Sequence, residues 1–467
     1  MTQEDMAQLS REELIDLVLA EHARLEAAQE LLEQMKLEIE ALRLKIEKGK
    51  KPPTNSSNSS QPPSRDQKAD LPAKRKKHRH GPPIGHMKYE RKFVAQPDHI
   101  VEVKPQVCKR CQTDLSKENG RLVDVNQITE LPEAKAEVIE VRQYETSCPC
   151  CGQKQVGKPP AGLEMERSFG ARLEATVVYY RQQQHLSYLR TQSALHDLYR
   201  VEISPGGIDK IMQRGGKAAA EQTAPIQTAV QDSAVVHCDE TGSRVDGQNW
   251  WQWVFCTAQA VFHVIRFDRS VDVIQEVMAN HEVEVWVSDC YSAQMKSPAR
   301  ERQLCLAHQL RNLQAVVELY PASFWPKAMQ ALFRSAVHLH NERDHLSPPE
   351  FHAQVQRIER ICTWLLERPL QQKDAKRLHK RYTKYRDCLF VFLHRTDVSP
   401  TNNVSERALR PSVIHRKVIG CFRSGWGAHA YAALASVIAT AALKNISAFN
   451  AIQNLFGVPS LPLTEGV

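Results

Sequence analysis

Three acidic residues lie far apart in the sequence, each in a context that predicts a carboxylate at the end of a regular element. Asp239 and Asp289 close two apolar runs, Ala-Val-Val-His-Cys-Asp and Val-Glu-Val-Trp-Val-Ser-Asp, that read as strands. Glu406 lies in Thr-Asn-Asn-Val-Ser-Glu-Arg-Ala-Leu-Arg-Pro, where a helix is predicted to begin. Carboxylates at two strand ends and one helix start can converge and hold divalent cations against a phosphodiester. The spacing therefore predicts metal-dependent phosphoryl transfer.

Such chemistry needs an activated attacking oxygen and a stabilised leaving oxygen, which two Mg²⁺ ions roughly 4 Å apart supply. Asp239 is predicted to bridge the two ions, and Asp289 to hold one of them. Glu406 would hold the other, in a first helical turn whose dipole favours the ionised form. Mn²⁺ is the alternative metal. The neighbouring acids Glu240 and Asp246 are expected to face solvent, because strand alternation sends Glu240 to the side opposite Asp239.

Polar residues beside these acids are candidates for accessory roles. His308, in Cys-Leu-Ala-His-Gln-Leu-Arg, could contact a phosphate, although a helix-surface position near the cleft explains both it and Arg311. Asn402 and Asn403 could position the scissile strand, but capping explains them equally well. The full set of predicted DNA contacts is Lys74, Arg75, Lys76, Lys77, Arg79, Lys210, Arg214, Arg311, Arg407 and Arg410.

A particular order of elements must bring the acids together. Three strands, an antiparallel meander, are predicted from 234 to 265, followed by a helix over 271–280 and a strand over 283–288. Another short strand at 302–306 precedes a helix that opens near His308. The expected order is β-β-β-α-β-α-β-α, with Glu406 on the last helix. The core would comprise residues 231–318 and 396–445, with a helical insertion at 319–395 and a tail at 446–467. A helix of small residues from Ala430 would pack closely on a sheet.

The amino-terminal segment, residues 1–48, has the heptad pattern of a coiled coil. Two interleaved rows recur every seven residues: Val18, Leu25, Leu32, Ile39 and Ile46, and Leu14, Ala28, Met35 and Leu42, with Glu21 as the one polar break in the second row. Such a seam buries itself against another helix, so a homo-oligomer is expected. An amphipathic helix lying on its own domain is the alternative.

Residues 49–90 form a linker rich in Pro, Ser, Asn and Lys, with too few apolar residues to fold alone. Its basic block, Lys-Arg-Lys-Lys-His-Arg-His at 74–80, is typical of a polyanion contact and could grip DNA phosphates without reading sequence. A solvated charge run is an equally good interpretation of the block alone.

Residues 91–160 contain two C-x-x-C pairs separated by a β-rich interval that includes the alternating run 136–144. The four thiols are predicted to bind one structural Zn²⁺ tetrahedrally: Cys108, Cys111, Cys148 and Cys151. Cys150 could replace either neighbour as a ligand. Reduced, unliganded cysteines and a redox-active pair are the weaker alternatives.

Residues 161–230 read as helical. Ser204 is a good helix cap followed by Pro205, and Lys210 and Arg214 are expected to point outward from the capped helix. The pattern is compatible with a helix-turn-helix DNA-binding domain. A helical hairpin that packs on the next domain is at least as good an interpretation.

Composition sets the outer limits. A chain of 467 residues is expected to form several domains, and the placement of its modest net charge of +8, notably in the basic block at 74–80, matters more than its size. The longest run of small apolar residues, Ala430 to Leu443, is too short to span a bilayer, and the charged amino-terminal segment lacks an export signal. The expectation is a cytoplasmic protein with no membrane partner. Most of the 12 cysteines are then core residues, not disulfides.

Taken together, these motifs resemble the transposases of the insertion sequence 66 family, within the DDE superfamily. The resemblance covers the leucine repeat, the Asn-Ser-Ser-x-Pro-Pro-Ser linker, the double C-x-x-C module, Asp-Glu-Thr, C-x-A-H-x-x-R-x-L, and Thr-Asn-Asn-x-x-Glu-Arg-x-Leu-Arg-Pro. It implies a multidomain α+β protein with an RNase H-like α/β core, in which Asp239, Asp289 and Glu406 bind Mg²⁺. It also implies that the amino-terminal region recognises terminal inverted repeats.

The function predicted from the sequence is DNA transposition, with double-stranded DNA at the element ends and at the target as partner. Helper proteins could take part, and in a bacterium the DNA-bound protein would be associated with the nucleoid. Two alternatives remain at this point. One is a zinc-dependent DNA-binding regulator with an inactive RNase H-like core, and the other is a structure-specific nuclease.

Overall fold

The structure is a computed structural model that describes residues 91–160 and 162–457. The predicted coiled coil (1–48), the linker (49–90) and the linker's basic block (Lys74, Arg75, Lys76, Lys77 and Arg79) lie outside the described residues. Packing divides the chain into two units. Unit 1 contains Ala234–His237 and Glu282–Asn403, and unit 2 contains the described parts of Ala73–Ser233, Cys238–His281 and Val404–Val467.

Strands and helices are numbered here along the described residues. The strands are β1 (Glu145–Ser147), β2 (Lys154–Val156), β3 (Val235–Val245), β4 (Gln248–Cys256), β5 (Val261–Arg266), β6 (Val283–Ser288) and β7 (Ala299–Leu304). The first six helices are α1 (Ala171–Gln182), α2 (Tyr188–Tyr199), α3 (Pro205–Glu221), α4 (Thr223–Gln231), α5 (Val271–Met278) and α6 (Leu306–Leu319). The remaining helices are α7 (Phe324–Asn341), α8 (Pro348–Leu366), α9 (Lys373–Lys384), α10 (Val391–His394), α11 (Asn403–Ile419), α12 (Gly425–Leu443) and α13 (Ala448–Leu455).

The main sheet is mixed and has five strands in the order β5-β4-β3-β6-β7. Strands β4 and β5 are antiparallel, whereas β6 runs parallel to both β3 and β7. The mixed α/β fold predicted from the sequence is confirmed. One element differs from the predicted order. A short 3₁₀ turn, Gln294–Lys296, lies between β6 and β7, where a helix was expected. Only about ten residues separate these parallel strands, fewer than a helical crossover normally needs.

Unit 1 is built around β6, β7 and the helices that follow them. Val285 and Val287 on the sheet join a buried cluster with side chains of α6 to α10. Trp325 of α7 stacks on Tyr382 of α9, with ring centroids 6.2 Å apart. The residues from α7 to α10 are helical, as the sequence predicted.

Unit 2 packs the long helix α12 on β5. The backbone N–H of His263 donates to Ser436 Oγ at 2.8 Å, and that of Val261 to Thr440 Oγ1 at 3.0 Å. By length and composition α12 is apolar enough to cross a membrane. Its hydroxyls instead bond the sheet, and Leu434 is fully buried, so α12 is a core helix of this unit. The predicted packing of small residues on a sheet is confirmed.

The close approach of α3 to α12 depends on one glycine. A Cβ atom at Gly216 would collide with the Cβ of Ala430 on α12. We expect Gly216→Ala to destabilise the protein by roughly 1–3 kcal/mol in urea unfolding, because two helix backbones must separate. Gly206→Ala is the matched control, since a Cβ there meets only Ser204 Oγ at 3.9 Å. It should be neutral or stabilising by helix propensity, and equal losses at both sites would contradict the packing argument.

Regular strand is scarce between residues 91 and 160. It is limited there to the hairpin of β1 and β2, and the alternating run 136–144 is not a strand. The prediction of a β-rich interval is wrong for that run. Alternation stabilises a strand when one face is buried, yet the Val138 side chain is 96% exposed.

The helical segment predicted for 161–230 is present as α1 to α4. The Ser204 hydroxyl caps α3 by accepting from Gly207 N–H at 3.1 Å, as predicted. Lys210 is exposed, but Arg214 binds the fully buried carboxylate of Glu174 at 2.5 Å and does not simply point into solvent. A structural role therefore explains Arg214, while helix-turn-helix DNA binding stays a prediction.

Candidate active site

In unit 1, Asp289 lies at the carboxyl edge of the parallel strands. It directly follows Ser288, the last residue of β6, whose carbonyl accepts from Cys305 N–H at 2.8 Å just beyond β7. The Asp289 Oδ1 atom accepts from the backbone N–H of Tyr291 at 2.9 Å. The sheet edge therefore positions Asp289 at a strand end, as the sequence predicted.

The Thr-Asn-Asn segment that leads into α11 is anchored to the same edge. Leu306 N–H donates to the Pro400 carbonyl at 2.9 Å, and Asn402 N–H donates to Cys305 Sγ at 3.1 Å. The fully buried Asn402 also bonds through its Oδ1 to His237 Nδ1 of β3, at 3.3 Å. Asn402 therefore has a positioning role that fixes where α11 starts.

His308 lies in the first turn of α6, close to this junction. Burial and the positive charge of Arg311 lower the pKa of His308 to about 4. The imidazole is neutral near pH 7, so it can donate one hydrogen bond and accept another but cannot pair with a phosphate as a cation. His308 is partly buried, and both its helix-surface interpretation and an accessory role stay predictions.

In unit 2, Asp239 lies within β3, which continues to Val245, so the prediction that it closes a strand is wrong. Asp239 and the start of α11 both lie near the same buried thiol. Burial raises the pKa of Cys256, on β4, to about 12; the Ser405 hydrogen bond opposes this shift and the charge of Asp239 adds to it. Ser405 precedes Glu406 in the first turn of α11. Asp239 and the helix turn that carries Glu406 therefore both lie near Cys256.

The acidic neighbours of Asp239 differ from each other. Asp246 is exposed in the turn after β3, as predicted. The Glu240 side chain is only 1% exposed and accepts from Arg269 at 2.7 Å, so the prediction that it faces solvent is wrong. Arg269 also lies over the ring of Trp251, 4.3 Å from its centroid. Strand alternation does place Glu240 and Asp239 on opposite faces of β3, but Arg269 and Trp251 cover the face that carries Glu240.

The residues around Glu406 share a helix face. Asn403, Arg407 and Arg410 are exposed and follow the i, i+4, i+7 spacing of one side of α11. The other side is held by Arg416, which donates to the Gly242 carbonyl of β3. Sequence reasoning missed Arg416, because nothing in the local pattern signals a partner 174 residues away. The exposed face leaves the predicted DNA contacts accessible.

The two C-x-x-C loops have the same backbone geometry. In the first, Cys108 N–H donates to Thr113 O and Gln112 N–H to Cys108 O, both at 2.9 Å. The second repeats this pattern, with bonds from Cys148 N–H to Gln153 O and from Gly152 N–H to Cys148 O, again at 2.9 Å. The residue after the second cysteine has positive φ in both loops, 60° at Gln112 and 74° at Gly152. Each pair is thus held in a similar turn.

Hydrogen bonds in these loops favour thiolates. The Thr113 hydroxyl, with help from Cys108, lowers the pKa of Cys111 to about 7. Backbone N–H groups of Cys151 and Cys150 lower the pKa of Cys148. The thiolate is the form that binds zinc, so the chemistry of both loops fits the predicted ligand. Coordination by all four cysteines stays a prediction.

Removing one predicted ligand tests the zinc site. We expect Cys108→Ser to lower the zinc content from about one ion per chain to near zero, because three thiolates bind Zn²⁺ far more weakly than four. Elemental analysis of the purified protein measures this content. Cys362→Ser is the control, since Cys362 is a buried core residue remote in sequence from both loops. Unchanged zinc in Cys108→Ser would contradict the assignment.

Comparison with known protein families identifies the family to which the chain belongs. Residues 166–430 match a family of transposases, and this range includes Asp239, Asp289 and Glu406. The match covers more than half of the 467 residues, so the chain belongs to the IS66 transposase family. The resemblance noted from the sequence is confirmed. A comparison with curated proteins finds no relative of this chain.

Proposed function

We propose that this transposase cuts DNA at element ends and joins the freed ends to target DNA, with Asp239, Asp289 and Glu406 as its catalytic carboxylates. The register of β3 and β6 carries the proposal. Val235 lies opposite Val285 and His237 opposite Val287, an offset of fifty residues. The same offset separates Asp239 from Asp289. We propose that both aspartates serve one metal site, as an extension of this register by two residues would require.

The start of α11 supports Glu406 as the third ligand. Asn402 is held between Cys305 and His237, so the position of the first turn is set by buried hydrogen bonds. Cys256 shares a buried cluster with Leu409 of α11, and both Asp239 and Ser405 influence the pKa of its thiol. This packing supports Glu406 and Asp239 as parts of one site.

The donor set fits a hard divalent cation. Three carboxylates offer the oxygen ligands that Mg²⁺ and Mn²⁺ prefer, and DDE-type transposases depend on metal ions. We propose two Mg²⁺ ions, which when bound activate the attacking oxygen and stabilise the leaving oxygen. The chain itself orients the substrate: Arg407 and Arg410 would bind backbone phosphates, and the exposed amide of Asn403 would fix the strand beside Glu406.

Double-stranded DNA is the proposed partner, bound as element ends and as target. The remaining parts of the proposal rest on the sequence alone: a homo-oligomer through residues 1–48, end recognition by the amino-terminal region, and a cytoplasmic location. Helper proteins could act with it.

A cleavage assay tests the function. The substrate is a duplex carrying the inverted repeats that bracket this reading frame, incubated with the full chain and Mg²⁺. We expect cuts that leave a free 3′-hydroxyl at the repeat boundary, followed by joining to plasmid DNA. Binding without cleavage would instead identify a regulator. Cleavage of branched junctions irrespective of the repeat would identify a structure-specific nuclease.

A further inference from the structure

Helix α9 of unit 1 has an unusually basic surface. Its twelve residues include six lysines and arginines against one aspartate. Ala375, Leu378 and Tyr382 are buried and anchor the helix in the core. Most of the cations are exposed on the other side; we call them the α9 basic face, and they are Lys373, Lys376, Arg377, Lys380 and Lys384.

Within the part of the chain that the structure describes, ion pairs do not neutralise this charge. The single acid, Asp374, accepts from the Tyr320 hydroxyl at 3.3 Å. Across residues 91–160 and 162–457, no carboxylate forms an ion pair with the α9 basic face. Lys376, Lys380 and Lys384 follow one another at i, i+4 spacing, an arrangement in which like charges repel and weaken a helix. A bound polyanion would remove that repulsion.

The carboxyl-terminal half of α9 is tied to the edge that carries Asp289. Arg381 donates to Gln309 Oε1 at 3.4 Å, in the first turn of α6, and Cys305 just before α6 bonds the carbonyl of Ser288. Cys290, the residue after Asp289, packs against the cluster that contains Tyr382.

We propose that the α9 basic face binds the phosphate backbone of duplex DNA and guides it past Asp289. The inference rests on the proposed function for its substrate and adds a binding surface to it. From Lys373 to Lys384 the helix extends about 16 Å. Duplex DNA carries one charge per about 1.7 Å of its axis, so several phosphates lie within reach of these side chains. Such contacts position DNA without reading its sequence.

The test compares matched double substitutions. Arg377→Gln/Lys380→Gln removes two charges from the α9 basic face, and Arg334→Gln/Lys327→Gln removes the same two residue types from exposed positions of α7. Binding of a fluorescent mixed-sequence duplex is measured by anisotropy over a range of salt concentrations, without divalent metal. For the α9 variant we expect the slope of log affinity against log salt to fall in magnitude by about 2, with roughly tenfold weaker binding at the lowest salt. The α7 control should remain within about twofold of wild type.

A third variant separates charge from shape. Arg377→Lys/Lys380→Arg keeps both charges and should bind with the wild-type slope. A wild-type slope in the Gln variant of α9, in a protein that cuts DNA, would overturn this inference and leave the proposed function intact. A reduced slope in a protein that never cuts DNA would support the α9 basic face and overturn the proposed function.

Discussion

Asp239→Asn is expected to slow DNA cleavage at least about a thousandfold in Mg²⁺ while leaving DNA affinity within about twofold. Asparagine has the size of aspartate and keeps the strand in place, but it brings no negative charge to a hard cation. Asp289→Asn and Glu406→Gln should act alike. The measurement is the single-turnover cleavage rate of a repeat-bearing duplex, with binding followed separately in the absence of divalent metal.

Asp246→Asn is the matched control, since it makes the same charge change in the turn that follows β3. Asp246 is exposed in a turn with a φ of 48°, a conformation that asparagine also tolerates. Cleavage should stay at the wild-type rate. A folded Asp239→Asn, Asp289→Asn or Glu406→Gln protein that cleaves normally would remove that residue from the catalytic set.

Glu240 offers a second comparison beside the proposed site. Its buried carboxylate neutralises Arg269, so Glu240→Gln should lower stability by weakening an ion pair in addition to any effect on cleavage. An unfolding measurement on each acidic variant therefore separates loss of a metal ligand from loss of structure. Asp239→Asn should reduce the cleavage rate more than the free energy of unfolding, whereas Glu240→Gln should clearly reduce the free energy of unfolding.

The strands that carry the aspartates could be predicted because their signals are local. Apolar runs of strand length located β3 and β6, although β3 continues to Val245 and Asp239 therefore lies within it, and the Ser204-Pro205 pair gave the start of α3. Each of these predictions depends on neighbours within a few residues, which the sequence displays directly. The family motif around Glu406 likewise lies in one continuous segment.

The errors arose where a distant partner decides the outcome. Alternation gave the side of the strand on which Glu240 lies, but only the fold shows that Arg269 and Trp251 cover it. The run 136–144 has a strand pattern, but its apolar residues are exposed, so burial does not stabilise it as a strand. The bond between His237 and Asn402 joins residues 165 positions apart, and no local pattern predicts it. Burial, which tertiary packing determines, made His308 neutral.

Acid is expected to destabilise unit 2 through two buried histidines. Burial lowers the pKa of His263 to about 4 and, together with the nearby His185 and Arg181, that of His415 to about 3. Both values lie below the unfolded value of about 6.5, so below pH 6.5 the unfolded chain binds more protons than the folded one. The stability is present in full above that pH and falls as the pH drops toward the folded values. By pH 5.5 each histidine should cost about 1.4 kcal/mol, or about 3 kcal/mol together.

Urea unfolding of the full chain at pH 7.5, 6.5 and 5.5 measures this loss, and His415→Phe isolates half of it. The His415 ring stacks on Tyr431 at 4.3 Å and its Nδ1 has no hydrogen-bond partner among the described residues, so phenylalanine keeps the packing and removes the proton site. The variant should lose about 1.4 kcal/mol less than wild type between pH 7.5 and 5.5. His338→Gln, at an exposed position of α7, should leave the pH profile unchanged. An equally steep profile in His415→Phe would show that protonation of His415 does not cause the loss of stability in acid. Burial would then not lower the pKa of His415.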